Sequence, residues 1–190
     1  MARFFMYGSE HGLQTDFELC TTANEAELTD PADWCAEQRF MHDWFCRNEV
    51  DGYLPTSVPI DGLFALVGYI HKLEISAERD DFRYRIYGER IAFAGNCPMQ
   101  GRWVSEFAPI VAEMFLRVYR DLRDSPRFYT GVTRYEGHGL RTPAYYRAIA
   151  PVGSVEAGTQ GFITLDLPED KRGMLVPVAP RETAVARAGR

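Results

Sequence analysis

The stretch Phe82-Arg83-Tyr84-Arg85-Ile86-Tyr87-Gly88-Glu89-Arg90-Ile91, followed ten residues on by Gly101-Arg102, constrains this chain more than any other. Phe82, Tyr84 and Ile86 alternate with Arg83 and Arg85, the period-2 pattern of a half-buried strand rich in aromatic and β-branched residues. Gly88 interrupts the alternation, and a short helical segment follows. It ends at Gly95-Asn96, two residues that tolerate a left-handed backbone. A strand that runs straight into a short helix needs a sheet with helices laid on it.

The rest of the chain supplies that sheet. Residues 1–29 have little periodicity and read as an arm, with room for one short ordered piece. Asp30-Pro31 starts a helix over 30–50, with Asp30 as N-cap, Pro31 at the first helical position and Asp33 in the first turn. Trp34, Gln38, Met41 and Phe45 share one face of it, and Cys35, His42 and Cys46 the adjoining stripe. So much aromatic surface must be buried against the domain or a second subunit. Pro55 and Pro59 mark an extended linker. Leu66 to Ile75 alternates as a strand, Arg79-Asp80-Asp81 turns, and Phe82 to Tyr87 returns antiparallel. Short helices fill 88–100. A longer helix covers 105–123 and ends before Ser125-Pro126. Phe128–Tyr135, Pro143–Val152 and Gln160–Leu167 are three further strands, and from Pro168 to residue 190 the composition is that of a mobile tail. Two strand sets around a helical insert make one α+β domain over 51–167: a five-stranded antiparallel sheet with helices on one face, plus the N-terminal helix.

Composition sets outer limits. The 190 residues are enough for one domain with extensions, and a net charge of −6 with scattered arginines argues against nucleic-acid binding. No run approaches the roughly 20 apolar residues of a membrane span, and the apolar run near the N-terminus is too short for a signal peptide. Cys35 and Cys46 lie about 16 Å apart along one helix and cannot bridge. A cytoplasmic protein with reduced Cys20, Cys35, Cys46 and Cys97 is expected.

Over residues 33–167 the chain resembles a PAS sensor domain of the stand-alone alphaproteobacterial type. The resemblance is carried by Phe82–Ile91 with Gly101-Arg102, the Trp-containing N-terminal helix, Tyr53-Leu54-Pro55 and Asp61. Similar proteins tend to have Gly where this chain has Asn96, and both accept left-handed geometry. The resemblance implies a sensory or regulatory module that binds a small molecule between sheet and helices, relays signals through protein contacts, or does both. With 23 residues after Leu167, output is expected through a partner protein or an oligomer, with the N-terminal helix as the homodimer contact. The expected pocket walls are Tyr84 and Ile86, Phe93 and Cys97, Met114, Phe115 and Val118, closed by Tyr146 and Phe162. A polar contact from Arg85, Tyr145 and Arg147 would hold an acidic ligand or the N-terminal helix, because Arg forks suit carboxylate and phosphate. The bland alternative is an exposed Arg face paired with cross-strand acids.

Other chemistries fit less well. Gly95-Asn96-Cys97-Pro98-Met99-Gln100-Gly101 invites comparison with the Asn-Cys-Arg-Phe-Leu-Gln signature of flavin light sensors. It is one residue short, Pro98 replaces the phosphate-gripping Arg, and the chain has no Asn after Asn96 to hold a flavin edge. Haem needs an axial His, and residues 100–137 contain none. His71 reaches a pocket only if it faces inward. His42 and Cys46, at i and i+4, are two ligands without a second pair, so no metal site is expected. His138 with Glu136 is the nearest approach to a catalytic pair, and no nucleophile accompanies it, so no enzyme is expected. The remaining readings are a pure interaction module with a filled core and a small α+β enzyme with a cone-like cavity.

Overall fold

The computed structural model describes residues 20–57, 61–137, 140 and 142–175. Six strands form one antiparallel sheet: β1 (Cys20–Glu27), β2 (Ile70–Ser76), β3 (Asp81–Ile86), β4 (Tyr129–Gly137), β5 (Ala144–Ser154) and β6 (Gly158–Pro168), in the order β1-β4-β5-β6-β2-β3. Helices α1 (Ala36–Asn48), α2 (Glu89–Ala94) and α3 (Pro109–Asp124) complete the α+β fold. Among the described residues no helix is long and apolar enough to cross a membrane.

The two strand sets and the helices between them fall where the periodicity places them. The sheet nevertheless has a sixth strand. β1 lies within the expected arm and pairs with β4 in register Glu25 to Thr133. Its sequence, Cys-Thr-Thr-Ala-Asn-Glu-Ala-Glu, is too polar to announce a strand, and an edge strand needs only one buried side.

Two further boundaries move for local reasons. Residues Asp61–Tyr69 form a 3₁₀ helix, so β2 starts at Ile70 rather than Leu66. Leu63, Leu66 and Tyr69 are buried while Phe64 and Val67 are exposed, which is the three-residue period of a 3₁₀ helix rather than strand alternation. Asp30 does cap, accepting from Ala32 N–H at 2.8 Å, but the turn it starts is the 3₁₀ segment Pro31–Asp33. The α-helix proper begins at Ala36, where Gln38 Oε1 accepts from Cys35 N–H at 2.9 Å. Asn96 adopts φ +46°, the left-handed geometry read from the sequence.

Both faces of the central strands are covered. Adjacent residues of a strand point to opposite sides, so Tyr146 and Arg147 mark the two faces of β5. The Arg147 face meets α3, whose Val111, Phe115, Tyr119 and Leu122 fall at helical spacing and are buried. The opposite face receives α1, which brings Met41, Trp44 and Phe45 into the core. Ala148 and Ala150 on β5 are fully buried and leave room for that helix. Gln38 of α1 donates to Gly131 O at 3.1 Å and Arg147 O at 2.7 Å, tying the helix to β4 and β5. The aromatic face of the N-terminal helix is therefore used within its own chain, packed into the core on the sheet face opposite α3.

The expected tail starts with the 3₁₀ turn Glu169–Lys171. Buried Glu37 then accepts from Gly173 N–H at 3.2 Å and Leu175 N–H at 3.0 Å. Residues 176–190 lie outside the described residues.

Candidate functional site

The polar side chains buried on the α3 face converge on Arg147. It is fully buried on β5, and its guanidinium makes three separate contacts. Nε donates to Asp166 Oδ1 at 2.6 Å, Nη1 to Glu25 Oε2 at 2.8 Å and Nη2 to the Tyr119 hydroxyl at 2.7 Å. The cation also stacks on Phe115, 4.5 Å from the ring centre. Register explains the meeting: Arg147 faces Asp166 across β5 and β6, and Gly131 across β5 and β4. A Cβ at Gly131 would sit 2.6 Å from the Tyr129 hydroxyl, so glycine is what lets that ring lie there.

Asp166 has a second partner. His71 Nε2 on β2 lies 3.2 Å from Asp166 Oδ2, within electrostatic reach but without the alignment of an ordinary hydrogen bond. His71 Nδ1 accepts the Gly88 N–H at 3.0 Å. That N–H must meet a lone pair, which places the ring proton on Nε2, facing Asp166. Gly88 caps α2, and a Cβ there would lie 2.4 Å from Gly68 O, so the N-terminus of α2 is seated tightly on the 3₁₀ segment. A continuous line thus runs Arg147–Asp166–His71–Gly88, from the interior to a surface helix.

Ionisation follows from these contacts. Burial alone would raise Asp166, but the Arg147 charge and the contact with His71 outweigh it and hold the carboxyl at about 2. Burial works against the Arg147 charge, and Asp166 and Glu25 more than restore it. Burial lifts the Tyr119 hydroxyl to about 12 and pushes Tyr84, Tyr87 and Tyr135 well above the usual tyrosine range. These phenols are neutral hydrogen-bonding groups at physiological pH.

The free space at the cluster is about 10 Å³, bounded by Tyr84, Tyr87, Ile91, Phe107, Phe115, Tyr135, Tyr145, Arg147 and Asp166. That volume admits one water molecule.

The expected site residues separate into several places. Tyr84, Phe115, Tyr145 and Arg147 line the cavity. Cys97, Met114 and Phe162 are buried in the surrounding core, and Val118 is half-buried against it. Tyr146 points to the opposite face, where Arg172 Nη1 donates to its hydroxyl at 3.0 Å. Ile86 and Phe93 are solvent-exposed, Phe93 by 80%, and do not wall the cavity. Arg85 stands outside, 3.2 Å from Glu74 on the neighbouring strand, so it does not join Tyr145 and Arg147. Cys46 Sγ is 3.5 Å from His42 Nε2, and the His42 ring packs edge-on against Trp34 and Phe128. Glu136 accepts from Thr22 Oγ1 at 2.9 Å, and His138 lies outside the described residues. No group of three or more His, Cys, Asp or Glu placed to hold a metal ion occurs among the described residues.

Glu25, Tyr119 and Asp166 escaped the sequence reading of the site, and His71, read as reaching a pocket only if it faces inward, does face inward; two of the cluster left a visible sign. Arg147 in Ala-Tyr-Tyr-Arg-Ala-Ile-Ala and Asp166 in Ile-Thr-Leu-Asp-Leu-Pro are single charges inside otherwise uncharged strands. A charge buried in that setting needs a partner. Glu25 left no such sign, because it sits in a polar stretch.

No family model, no curated protein and no solved structure matches the chain.

Proposed function

We propose that this chain is a stand-alone PAS-like regulatory module in which the state of the Arg147 cluster is read out at the surface through α2. The observation that carries this reading is the shared carboxylate: Asp166 holds Arg147 and has the His71 ring 3.2 Å away, and His71 takes the Gly88 N–H that starts α2. A buried ion pair contributes little to stability compared with well-packed apolar residues, so its presence favours a role other than stability. The arrangement of β2, β3, β4, β5 and β6 around a helical insert supports the PAS reading of the fold. On the readout side α2 exposes Phe93 and borders an open surface groove of about 660 Å³ beside Tyr69, Arg90 and Lys171.

A cavity of about 10 Å³ favours a second reading as well: the interior is filled, and the module works through contacts with another protein. The exposed Phe64, Val67 and Phe93 supply apolar surface for such contacts. The enzyme reading gains Asp166 and His71 but lacks an open cavity at that pair.

Native mass spectrometry of the freshly purified full chain, with an absorbance scan across the visible range, tests the proposal. Since the closed cavity of about 10 Å³ holds no more than a water, a small colourless ligand is expected to bind the folded chain when offered in excess rather than to arrive with it. A chain that keeps its unmodified mass under that excess and forms a dimer would move the conclusion to the interaction module.

A further inference from the structure

Arg147 holds two carboxylates where one would balance its charge. His71 Nδ1 accepts the Gly88 N–H, so that nitrogen carries no proton. Asp166 comes from β6, in the middle of the sheet, is held by Arg147 and has the His71 ring 3.2 Å away. Glu25 is held differently. It comes from the edge strand β1, and its Oε2 receives Arg147 Nη1 at 2.8 Å and Thr133 Oγ1 at 2.9 Å. Its Oε1 is buried and accepts no hydrogen bond of ordinary geometry, although the Tyr129 hydroxyl lies close enough to interact with the carboxylate. The side chain is 1% exposed, although β1 as a strand is only half-buried to exposed. Burying a second carboxylate with one oxygen unsatisfied works against the docking of β1.

Resting on the reading of the cluster as a sensory site, we propose that Glu25 is the built-in occupant of an anion site on Arg147, and that a small monocarboxylate displaces it together with β1. The chemistry selects the class. Exchanging one carboxylate for another leaves Arg147 paired at every stage and keeps the cluster charge unchanged. A phosphate dianion would add a second negative charge close to Asp166, in a medium where like charges repel strongly. The donors offered are one guanidinium N–H of Arg147 and the Thr133 hydroxyl, a set that fits a single carboxylate oxygen. The volume freed is that of the Glu25 side chain, which matches an acid of two to four carbons. β1 can leave without opening the rest of the sheet because it lies at the edge, pairs with one strand among the described residues and contributes only partly buried apolar groups, Cys20 and Ala23. Since Glu25 is tethered, the competitor must overcome a local concentration on the order of millimolar, so a response in the millimolar range is expected.

The test is hydrogen exchange of the full chain, read by mass spectrometry over residues 20–27, during titration with propionate at constant ionic strength in chloride. Exchange in β1 should accelerate saturably with propionate and not with chloride. In the Glu25→Gln protein, which loses the competing charge, propionate should bind about tenfold more tightly, a difference of roughly 1.4 kcal/mol. β1 exchange in the unmodified chain that ignores propionate overturns the proposal, and so does propionate binding that appears only after Glu25 is replaced. The unmodified chain carries the first readout, so a poorly folding variant does not remove the test. A bound mass that co-purifies with the protein while β1 ignores propionate would leave the sensory reading intact and remove Glu25 as its occupant.

Discussion

The two faces of strand β5 are built on different principles. On one side Ala148 and Ala150 lie under α1, which buries Met41 and Trp44 in the same core, and Leu165 and Leu167 continue the surface on β6. That face is mainly apolar, with buried Gln38 and Glu37 of α1 hydrogen-bonded to backbone carbonyl and N–H groups, and it is stabilised chiefly by removal of carbon surface from water. On the other side, one residue along, Arg147, Asp166, His71 and Glu25 are buried with tyrosines around a space of about 10 Å³. Apolar packing of α3 through Val111, Phe115 and Leu122 still holds that face, but desolvation opposes the charged cluster within it, which is stable only while each charge keeps its partner. Two faces of one strand thus separate the part of the molecule that makes it stable from the part that can respond.

The sharpest way to break the comparison is at Arg147. Arg147→Ala leaves two carboxylates buried without their cation and should cost about 3–5 kcal/mol in urea unfolding. Replacing the whole triad by Arg147→Met, Asp166→Asn and Glu25→Gln should return stability to near that of the unmodified chain. If the triple variant is as unstable as the single one, the cluster is a structural necessity rather than a cost. On the opposite face Leu165→Ala should lose about 2–5 kcal/mol by leaving a cavity, and no companion polar substitution should restore it.

Acid separates the faces again. Asp166 titrates at about 2 in the folded chain, below the value of about 3.9 for a free Asp. The unfolded chain therefore takes up this proton first as pH falls. The stabilisation is complete above about pH 4 and is lost on the way down to about 2. Urea midpoints measured across that window should fall for the unmodified chain, and the Asp166→Asn protein should lack that part of the slope. The smallest effect belongs to Arg85, half-exposed in its pair with Glu74. Arg85→Ala should change stability by less than about 1 kcal/mol. A larger loss would show that the exposed side of β3 does more than face solvent.

The same contrast explains what the sequence could tell. β3 and the last three strands are legible because their side chains alternate or run apolar between turn residues, and α3 because Val111, Phe115 and Leu122 recur at helical spacing. The 3₁₀ helix Asp61–Tyr69 was legible in principle, since Leu63, Leu66 and Tyr69 repeat every three residues, but Leu66 to Ile75 also alternates well enough to read as a strand. β1 was hidden because what holds it is pairing with β4 and one buried carboxylate, neither of which leaves a hydrophobic pattern. The site suffered the same way. Tyr84, Phe115, Tyr145 and Arg147 came from their own strands and helix, whereas the partners Glu25, His71 and Asp166 are set by register between strands distant in sequence. Register also decides that Tyr146 lies on the face opposite Arg147, while Arg85 reaches Glu74 diagonally, past the Glu74–Arg83 pair.

The most direct test of the account is hydrogen exchange of a single amide, Gly88 N–H, followed by NMR in the unmodified chain and in the Asp166→Asn and Leu165→Ala proteins. If the Arg147 cluster is coupled to α2 through His71, Asp166→Asn should shift the Gly88 resonance and speed its exchange relative to the other α2 amides, while Leu165→Ala changes Gly88 only in proportion to the overall loss of stability. A Gly88 amide that responds identically to both substitutions would contradict the coupling, and with it the separation of a stabilising face from a responsive one.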